Sequence, residues 1–145
     1  MTTRLWPHRL YRGSLSDLGR MRRDLCEDLP NLDAELLDTL LLCGSEIFAN
    51  CVKYSASGHD GGHVIRTLRR QGGFLCLGFT DDGLGGTIPT VPRSRTADEW
   101  ADAEGGRGLL LVEELSTAWG YRPVCPWGDL GHHTWAAFPL PAAAR

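Results

Sequence analysis

The sequence contains almost no lysine: fourteen of its fifteen basic residues are arginine, and the exception is Lys53. It also has no surplus of basic charge, because eighteen acidic residues give a formal net charge of −3. Binding to nucleic-acid backbones depends on clustered Lys and Arg side chains, so this balance argues against a general polyphosphate-backbone binder. We expect no direct nucleic-acid partner.

Membrane and secretion signals are missing as well. No stretch approaches the ~20 apolar residues of a membrane-spanning helix, and the first six residues lack the apolar core of a signal peptide. We therefore expect a cytoplasmic protein without membrane contact. The cysteines are odd in number and have no C-x-x-C spacing, which favours buried, reduced thiols over disulfides or a zinc site. They are Cys26, Cys43, Cys51, Cys76 and Cys125.

The composition is that of an ordinary folded chain, with 42% hydrophobic and 23% charged residues. The length of 145 residues predicts a single domain spanning residues 1–145. Residues 4–12 favour an edge strand around Pro7. The run Ser14–Asp17 is typical of a capping box, so a helix should start there and end near Leu29, before Pro30. A second helix should run from about Asp33 to Tyr54.

The rest of the chain alternates strands with one long irregular segment. Strands are predicted at His63–Arg70 and Phe74–Thr80, joined by Gly72-Gly73. Residues 81–104 lack periodicity and favour a lid or binding loop, with the lid at about 86–104. A third helix from Leu109 and strands at Ala118–Val124 and His133–Phe138 follow. This order predicts an α+β fold, a two-layer sandwich with helices on one face of a mixed, mostly antiparallel sheet.

One polar cluster lies on the second predicted helix, where Glu46, Asn50 and Lys53 share a face at i, i+4 and i+7. Mg²⁺ accepts an amide oxygen as a ligand. A carboxylate one turn earlier can orient or deprotonate a hydroxyl near phosphates, and an ammonium group one turn later can meet phosphate oxygens. A solvent-facing stripe of helix salt bridges explains this cluster alone equally well.

Two glycine-containing clusters follow. Asp81-Asp82-Gly83-Leu84-Gly85 ends a predicted strand, where a carboxylate can accept a hydrogen bond from an exocyclic amine. Taken alone, this pattern is more often a turn. Gly105-Gly106-Arg107-Gly108-Leu109 opens a predicted helix, and free backbone N–H groups at a helix start bind phosphate. Glycine-rich helix starts also occur without ligands.

In order and spacing, the three clusters together resemble the GHKL ATPase superfamily, whose fold is the Bergerat ATP-binding sandwich. Glu46-x-x-x-Asn50 resembles its N box, Asp81-x-Gly83-x-Gly85 its G1 box, and Gly106-Arg107-Gly108-Leu109 its G2 box. The resemblance covers about residues 10–140. It is closest to the small stand-alone anti-sigma-factor serine kinases and related bacterial ATP-binding regulators.

The resemblance implies ATP and Mg²⁺ as ligands and assigns roles position by position. Glu46 would be the general base, and Asn50 would coordinate Mg²⁺. Asp81 would bind the adenine amine. The remaining nucleotide-site residues implied are Gly83 and Gly85 at adenine, Gly106, Arg107, Gly108 and Leu109 in the phosphate box, and Lys53 and Tyr54 beside phosphate and nucleoside.

The resemblance also implies protein partners, namely a sigma factor, an antagonist protein with an acceptor Ser or Thr, and a second copy in a homodimer. Arg20 belongs to a basic stripe on the first helix, which helps to contact partners in the anti-sigma-factor kinases, so the resemblance makes Arg20 a candidate partner contact. Taken alone, the stripe of Arg20, Arg22 and Arg23 is more often a solvated helix face. Fewer than 35 residues precede the second predicted helix, so we expect no histidine-bearing dimerisation domain.

Two positions depart from the family pattern. A Thr on the last strand usually supports the adenine-binding Asp, but the matching stretch here puts His133 in that place. A shift of one residue would bring in Thr134 and would also turn it to the other face. Leu84 stands where Pro or Val is common.

The expected function is an ATP-dependent regulator of the anti-sigma type that phosphorylates an antagonist. A nucleotide-gated protein-binding module without significant kinase activity is the alternative. A divergent domain that no longer binds nucleotide is a third interpretation.

Overall fold

The structure is a computed structural model that describes residues 3–83, 104–124 and 131–141, with side chains from 108 onward in the second range. It contains helices α1 (Leu18–Asp28), α2 (Ala34–Tyr54) and α3 (Glu104–Leu115). The strands are β1 (Thr3–Leu5), β2 (Arg9–Arg12), β3 (His63–Gln71), β4 (Phe74–Thr80), β5 (Ala118–Pro123) and β6 (His132–Pro139). Short 3-10 turns span Leu15–Asp17 and Ala56–Gly58.

The strands form one open sheet in the order β1-β3-β4-β6-β5, and β2 pairs with β3 beside β1. These pairings are antiparallel. The helices pack on the face that carries Leu75, Leu77 and Phe79, which are fully or almost fully buried. This arrangement confirms the predicted α+β sandwich.

The first predicted strand is broken in two. β1 and β2 pair with different parts of β3, and the chain leaves the sheet ladder between them, at residues 6–8. Trp6 is buried there, and its indole Nε1 donates to the carbonyl oxygen of Asp28 at 3.1 Å. The continuous strand predicted over residues 4–12 is therefore wrong at its centre, because Pro7 has no N–H to donate and Trp6 packs into the core.

The start of the first helix also differs from its prediction. Ser14 caps the 3-10 turn by accepting a hydrogen bond from the Ser16 backbone N–H. Asp17 does not complete a capping box, because its carboxylate instead accepts from the Arg12 backbone N–H at 2.8 Å and pairs with the Arg12 guanidinium. The helix itself ends at Asp28, close to the predicted Leu29.

α2 lies at the centre of the helix layer and packs on α1, α3 and β4. Its Phe48 ring meets Tyr11 and Phe79 edge to face, with centroids 5.9 Å and 6.3 Å apart. Such contacts add to the burial of apolar area. The hydrophobic side of α2 therefore fixes how its polar residues face the neighbouring elements.

The cysteines are only partly as predicted. Cys43 and Cys51 are buried, Cys76 is half-buried and Cys26 is exposed on α1, so the expectation of a buried thiol is wrong for Cys26. Cys125 lies outside the described residues.

None of the described helices combines the length and the apolar character needed to cross a membrane.

Candidate functional site

The second helix supplies the central wall of the site. Asp33 caps its first turn by accepting from the Leu36 N–H at 3.0 Å, and the helix continues without a break to Tyr54. Glu46 and Asn50 are each half-buried, on the flank between its buried and exposed sides. This position does not fit a fully solvent-facing stripe of salt bridges.

Glu46 lies against the start of α3. A Cβ added to Gly108 would overlap the Glu46 carboxylate, at 3.2 Å from its Cδ and closer still to Oε2. A side chain at position 108 would therefore require the Glu46 carboxylate to move, and glycine leaves it in its present position. The structure thus brings together one residue of the proposed N box and one of the proposed G2 box.

α3 begins earlier than its sequence suggests. We expected an apolar helix from Leu109, but the helix starts at Glu104 and includes the glycine segment in its first turns. Its buried residues Leu109 and Val112 anchor it to the core layer. By helix geometry, the N–H groups of residues 104–106 have no partner within this helix, and such groups can bind an anion.

Asn50 carries a polar atom that none of the described residues satisfies. Its amide Nδ2 is buried and has no hydrogen-bond partner in the part of the chain that the structure describes. An unmet buried polar atom costs about 1–3 kcal/mol, which is expected where a ligand completes the bonding. The two ends of an amide exchange by a 180° rotation, so the same position can present the Oδ1 acceptor that Mg²⁺ takes. Asn50 therefore fits the implied magnesium ligand.

Asp81 follows directly on β4 and is nearly buried, with a side chain 10% exposed. Its Oδ1 accepts from the Gly83 N–H at 2.8 Å and from the His132 N–H at 3.1 Å. Burial nevertheless raises the pKa of Asp81 above its usual range, because these two backbone donors do not outweigh the loss of water. The carboxylate is thus held in place by backbone groups, without a described guanidinium or ammonium partner.

A tight turn after Asp81 joins β4 to the end of α2. Gly83 has a φ of +70°, which glycine adopts without strain, and its carbonyl oxygen accepts from the Ala56 N–H at 2.7 Å. The Asp82 N–H donates to the Ser57 Oγ at 2.9 Å. The geometry explains why glycine is needed at position 83, and it places the proposed G1 box beside the C-terminal end of α2.

The pairing of β4 with β6 decides which last-strand residue faces this site. Phe79 pairs with Thr134, and Thr80 pairs with His133. Directly paired residues share a face, so Thr134 lies on the helix side with Phe79 and is 4% exposed. His133 lies on the opposite face, where its Nδ1 is 2.9 Å from Thr80 Oγ1. Of the two residues that the sequence left open for the place of the expected Thr, Thr134 is therefore the one on the helix side of the sheet.

The other predicted site residues are placed as follows. Lys53 and Tyr54 are exposed at the C-terminal end of α2, and Leu109 is 6% exposed within α3. Arg20 lies on α1, where it stacks on Tyr11 at 4.8 Å. Leu84, Gly85 and the lid to residue 103 lie outside the described residues. Gly106 and Arg107 belong to α3, and only their backbone is described.

Three residues at the site were not predicted. Ser57 is fully buried and accepts from the Asp82 N–H, Cys51 lies near enough to Asp81 for that carboxylate to contribute to its raised pKa, and His132 Nδ1 lies 3.9 Å from Asp81 Oδ1. Burial is the main cause of the Cys51 shift. Cys51 could have been found from its position one residue after Asn50. The other two depend on contacts between segments distant in sequence.

These contacts order the site along α2. Glu46 lies against Gly108 of α3, and Cys51, about one and a half turns or ~7.5 Å further along the axis, is close enough to Asp81 for that carboxylate to contribute to its raised pKa. One end therefore combines a carboxylate with a helix N-terminus that attracts anions, and the other combines a buried acceptor with a glycine turn. This arrangement suits an elongated ligand with a charged end and a flat polar end.

The comparisons with known proteins agree with this geometry. The family model described as the histidine kinase-like ATPase domain matches residues 13–128, which include both ends of the site. The curated proteins searched gave no match. Because the matched segment spans well over half of the sequence, the chain belongs to the histidine kinase-like ATPase (GHKL) domain family.

Proposed function

We propose that this protein is an ATP-dependent regulator of the anti-sigma-factor type that phosphorylates a Ser or Thr of an antagonist protein. Membership of a histidine kinase-like ATPase family implies ATP binding. The observation that carries the kinase step is the placement of the Glu46 carboxylate against Gly108, about one turn after α3 begins at Glu104.

In the proposed step, Glu46 accepts the proton of the acceptor hydroxyl. The hydroxyl oxygen forms a bond to the γ-phosphorus as the bond from that phosphorus to the bridging oxygen breaks, and ADP leaves. Because Glu46 already lies against Gly108 of α3, its carboxylate would need little movement to reach the acceptor, which favours the reacting geometry. The N–H groups at the start of α3 would hold phosphate oxygens.

Magnesium belongs to this proposal through Asn50, whose buried amide Nδ2 has no hydrogen-bond partner among the described residues. When bound, Mg²⁺ neutralises charge on the phosphate oxygens. Asp81 would accept a hydrogen bond from the exocyclic amine of adenine, and Gly83 would let the backbone approach the ring. Gly85, Gly106 and Arg107 keep the roles that the family resemblance implies.

The partners in this proposal are a sigma factor and an antagonist. Because a sigma factor acts in the cytoplasm, the proposal includes a cytoplasmic location. Arg20 is our candidate partner contact on α1. Its guanidinium donates to the Leu10 carbonyl oxygen at 2.8 Å and to Asp17 at 3.3 Å. The side chain is still 48% exposed, so it would offer a partner a charge in a fixed orientation.

The experiment mixes the protein with Mg-ATP and a small antagonist encoded by a neighbouring gene, and measures phosphoprotein. Glu46→Gln should lower the transfer rate at least ~100-fold, the loss expected for a general base, with ATP affinity changed no more than about twofold. Glu35→Gln is the matched control, because Glu35 is exposed in the first turn of the same helix. Undiminished transfer in Glu46→Gln would contradict the role of Glu46. ATP binding without transfer would favour a nucleotide-gated binding module.

A further inference from the structure

The sheet has a second face, which none of the described helices covers. All three helices pack on the side of Leu75, Leu77 and Phe79. The alternate residues of the strands point the other way, where a groove of about 760 Å³ crosses the sheet from the β1–β2 break to β5. Its volume is within the range of ~300–1,000 Å³ found for ligand pockets.

Two side-chain rings form part of the groove floor. His133 lies over Gly78, where an added Cβ would be only 2.5 Å from the imidazole Cε1. Trp135 lies over Gly120, where the corresponding distance to the indole Cζ2 is 3.1 Å. Each ring fits because the neighbouring strand has no side chain at that point. The hydrogen bond between His133 and Thr80 fixes the first ring further.

The groove is lined by basic groups. His8, Arg69, Arg122 and His133 all line it, and none of the described lining residues is an Asp or Glu. Burial lowers the pKa of His133 below its usual range, and Arg122, His8 and Arg69 lower it further by repulsion. These groups therefore act on one another without a lining carboxylate to balance them, although the whole chain has a net charge of −3.

Apolar surface accompanies this charge. Leu5 and Val124 line the groove and are 70% and 48% exposed. From β1 to β5 the sheet is about 19 Å wide, given four strand spacings of ~4.8 Å, which matches roughly six residues of an extended chain. Arginines beside apolar and aromatic surface are typical of protein-binding sites.

We propose that this outer groove docks an extended acidic segment of a partner protein, in which carboxylates alternate with apolar side chains. The carboxylates would pair with Arg69 and Arg122 at the rim, and the apolar side chains would lie on Trp135. A second copy of this chain is disfavoured as the occupant, because two such grooves facing each other would oppose like charges. A nucleic acid is disfavoured because only two of the described lining residues are arginines, whereas binding to a nucleic-acid backbone uses many phosphate contacts. The proposal does not depend on phosphoryl transfer.

The test begins with a phage-displayed library of twelve-residue peptides selected on the full chain. Selection should enrich sequences rich in Asp and Glu with interspersed Leu, Phe or Trp. A selected peptide, labelled with a fluorophore, should then bind about tenfold more weakly to Arg122→Glu and to Arg69→Glu by anisotropy. Arg23→Glu is the control with the same charge change on an exposed part of α1, and it should change affinity no more than twofold.

Folding and alternative occupants are checked in parallel. Each variant should keep the wild-type affinity for Mg-ATP and the wild-type urea midpoint; Arg122→Gln is a milder second variant if a reversed charge impairs folding. The proposal is overturned if no acidic sequence is enriched, or if Arg23→Glu weakens binding as much as the groove variants. Binding of a labelled twelve-nucleotide oligothymidine with equal affinity would assign the groove to nucleic acid. Loss of a dimer in the groove variants, measured by sedimentation, would assign it to a second copy.

Discussion

Two carboxylates of similar burial, Asp28 and Asp81, have opposite surroundings. Their side chains are 13% and 10% exposed. Asp28, at the end of α1, pairs with the guanidinium groups of Arg9 and Arg66, and the Arg9 hydrogen bonds hold its pKa below the usual range. Asp81 receives backbone N–H groups, and burial raises its pKa.

This difference in surroundings suggests that Asp28 stabilises the fold, whereas Asp81 is available to bind a ligand. Arg66 is fully buried, and its charge is balanced by Asp28 within the protein, although its Nε and Nη1 have no hydrogen-bond partner among the described residues. Asp81 pairs with no described guanidinium or ammonium group, and the His132 Nδ1 lies 3.9 Å from its Oδ1. On α2, the Asn50 amide Nδ2 has no hydrogen-bond partner in the described part of the chain. Perturbed, incompletely satisfied groups in one place are typical of functional sites.

The largest expected effect is on stability. Asp28→Asn should lower the free energy of unfolding by about 3–5 kcal/mol, because it leaves the buried Arg66 guanidinium without its counter-charge. Urea denaturation measures this loss. Asp38→Asn, at an exposed position of α2, should change stability by less than about 0.5 kcal/mol. A similar small change in Asp28→Asn would mean that the Asp28 cluster does not stabilise the fold.

Asp81→Asn should have the reverse profile. The amide keeps an oxygen that accepts from Gly83 and His132, and it removes a buried charge, so the free energy of unfolding should equal or exceed that of the wild type. Affinity for Mg-ATP should fall at least ~100-fold, or about 2.8 kcal/mol, because a carboxylate oxygen that would accept from the adenine amine is replaced by an NH2 group, which only donates. Calorimetry and urea denaturation together give both quantities. If Asp81→Asn lost stability and kept its affinity for Mg-ATP, Asp81 would be a structural residue and not a ligand-binding one.

The pH dependence of stability should separate the two groups further. Asp28 has a lowered folded pKa, so its stabilisation is present above the ordinary value of 3.8 and is lost as pH falls through the folded value. Asp81 has a raised folded pKa, so its contribution is present below 3.8 and is lost as pH rises through the folded value. The stability gap between wild type and Asp28→Asn should shrink below pH 3.8. Above pH 3.8, the free energy of unfolding of Asp81→Asn should rise relative to that of the wild type. Parallel pH profiles of stability in the wild type and both variants would contradict these assignments.

The smallest effect is expected at the edge of the site. Lys53 is exposed, so Lys53→Ala should weaken Mg-ATP binding only about fivefold, roughly 1 kcal/mol, as for a screened charge near phosphate. Lys53→Arg should retain most of the affinity because it keeps the charge. Unchanged affinity in Lys53→Ala would mean that Lys53 is a surface residue without a role in nucleotide binding.

The sequence predicted what depends on local periodicity. The bounds of α2 and β4 agree closely with their patterns, since the Asp33 cap and the alternation from Phe74 to Thr80 act within one element. The break at Trp6 and the hydrogen bonds of Asp17 depend on β3 and Arg12, so local patterns missed them. For the site, the motif residues were found, but the face of Thr134 required the β4–β6 register. The contact between Glu46 and Gly108 required the packing of two helices.

We propose that α2, the end of β4 and the start of α3 form one Mg-ATP site. The decisive experiment is isothermal titration calorimetry of Mg-ATP with wild-type protein and Asn50→Ala, each repeated with EDTA. We expect saturable binding at one site in the wild type, weakened by EDTA, and an affinity in Asn50→Ala that is reduced at least tenfold and is insensitive to EDTA. Equal affinity and equal EDTA sensitivity in both proteins, or no binding by the wild type at millimolar Mg-ATP, would contradict it.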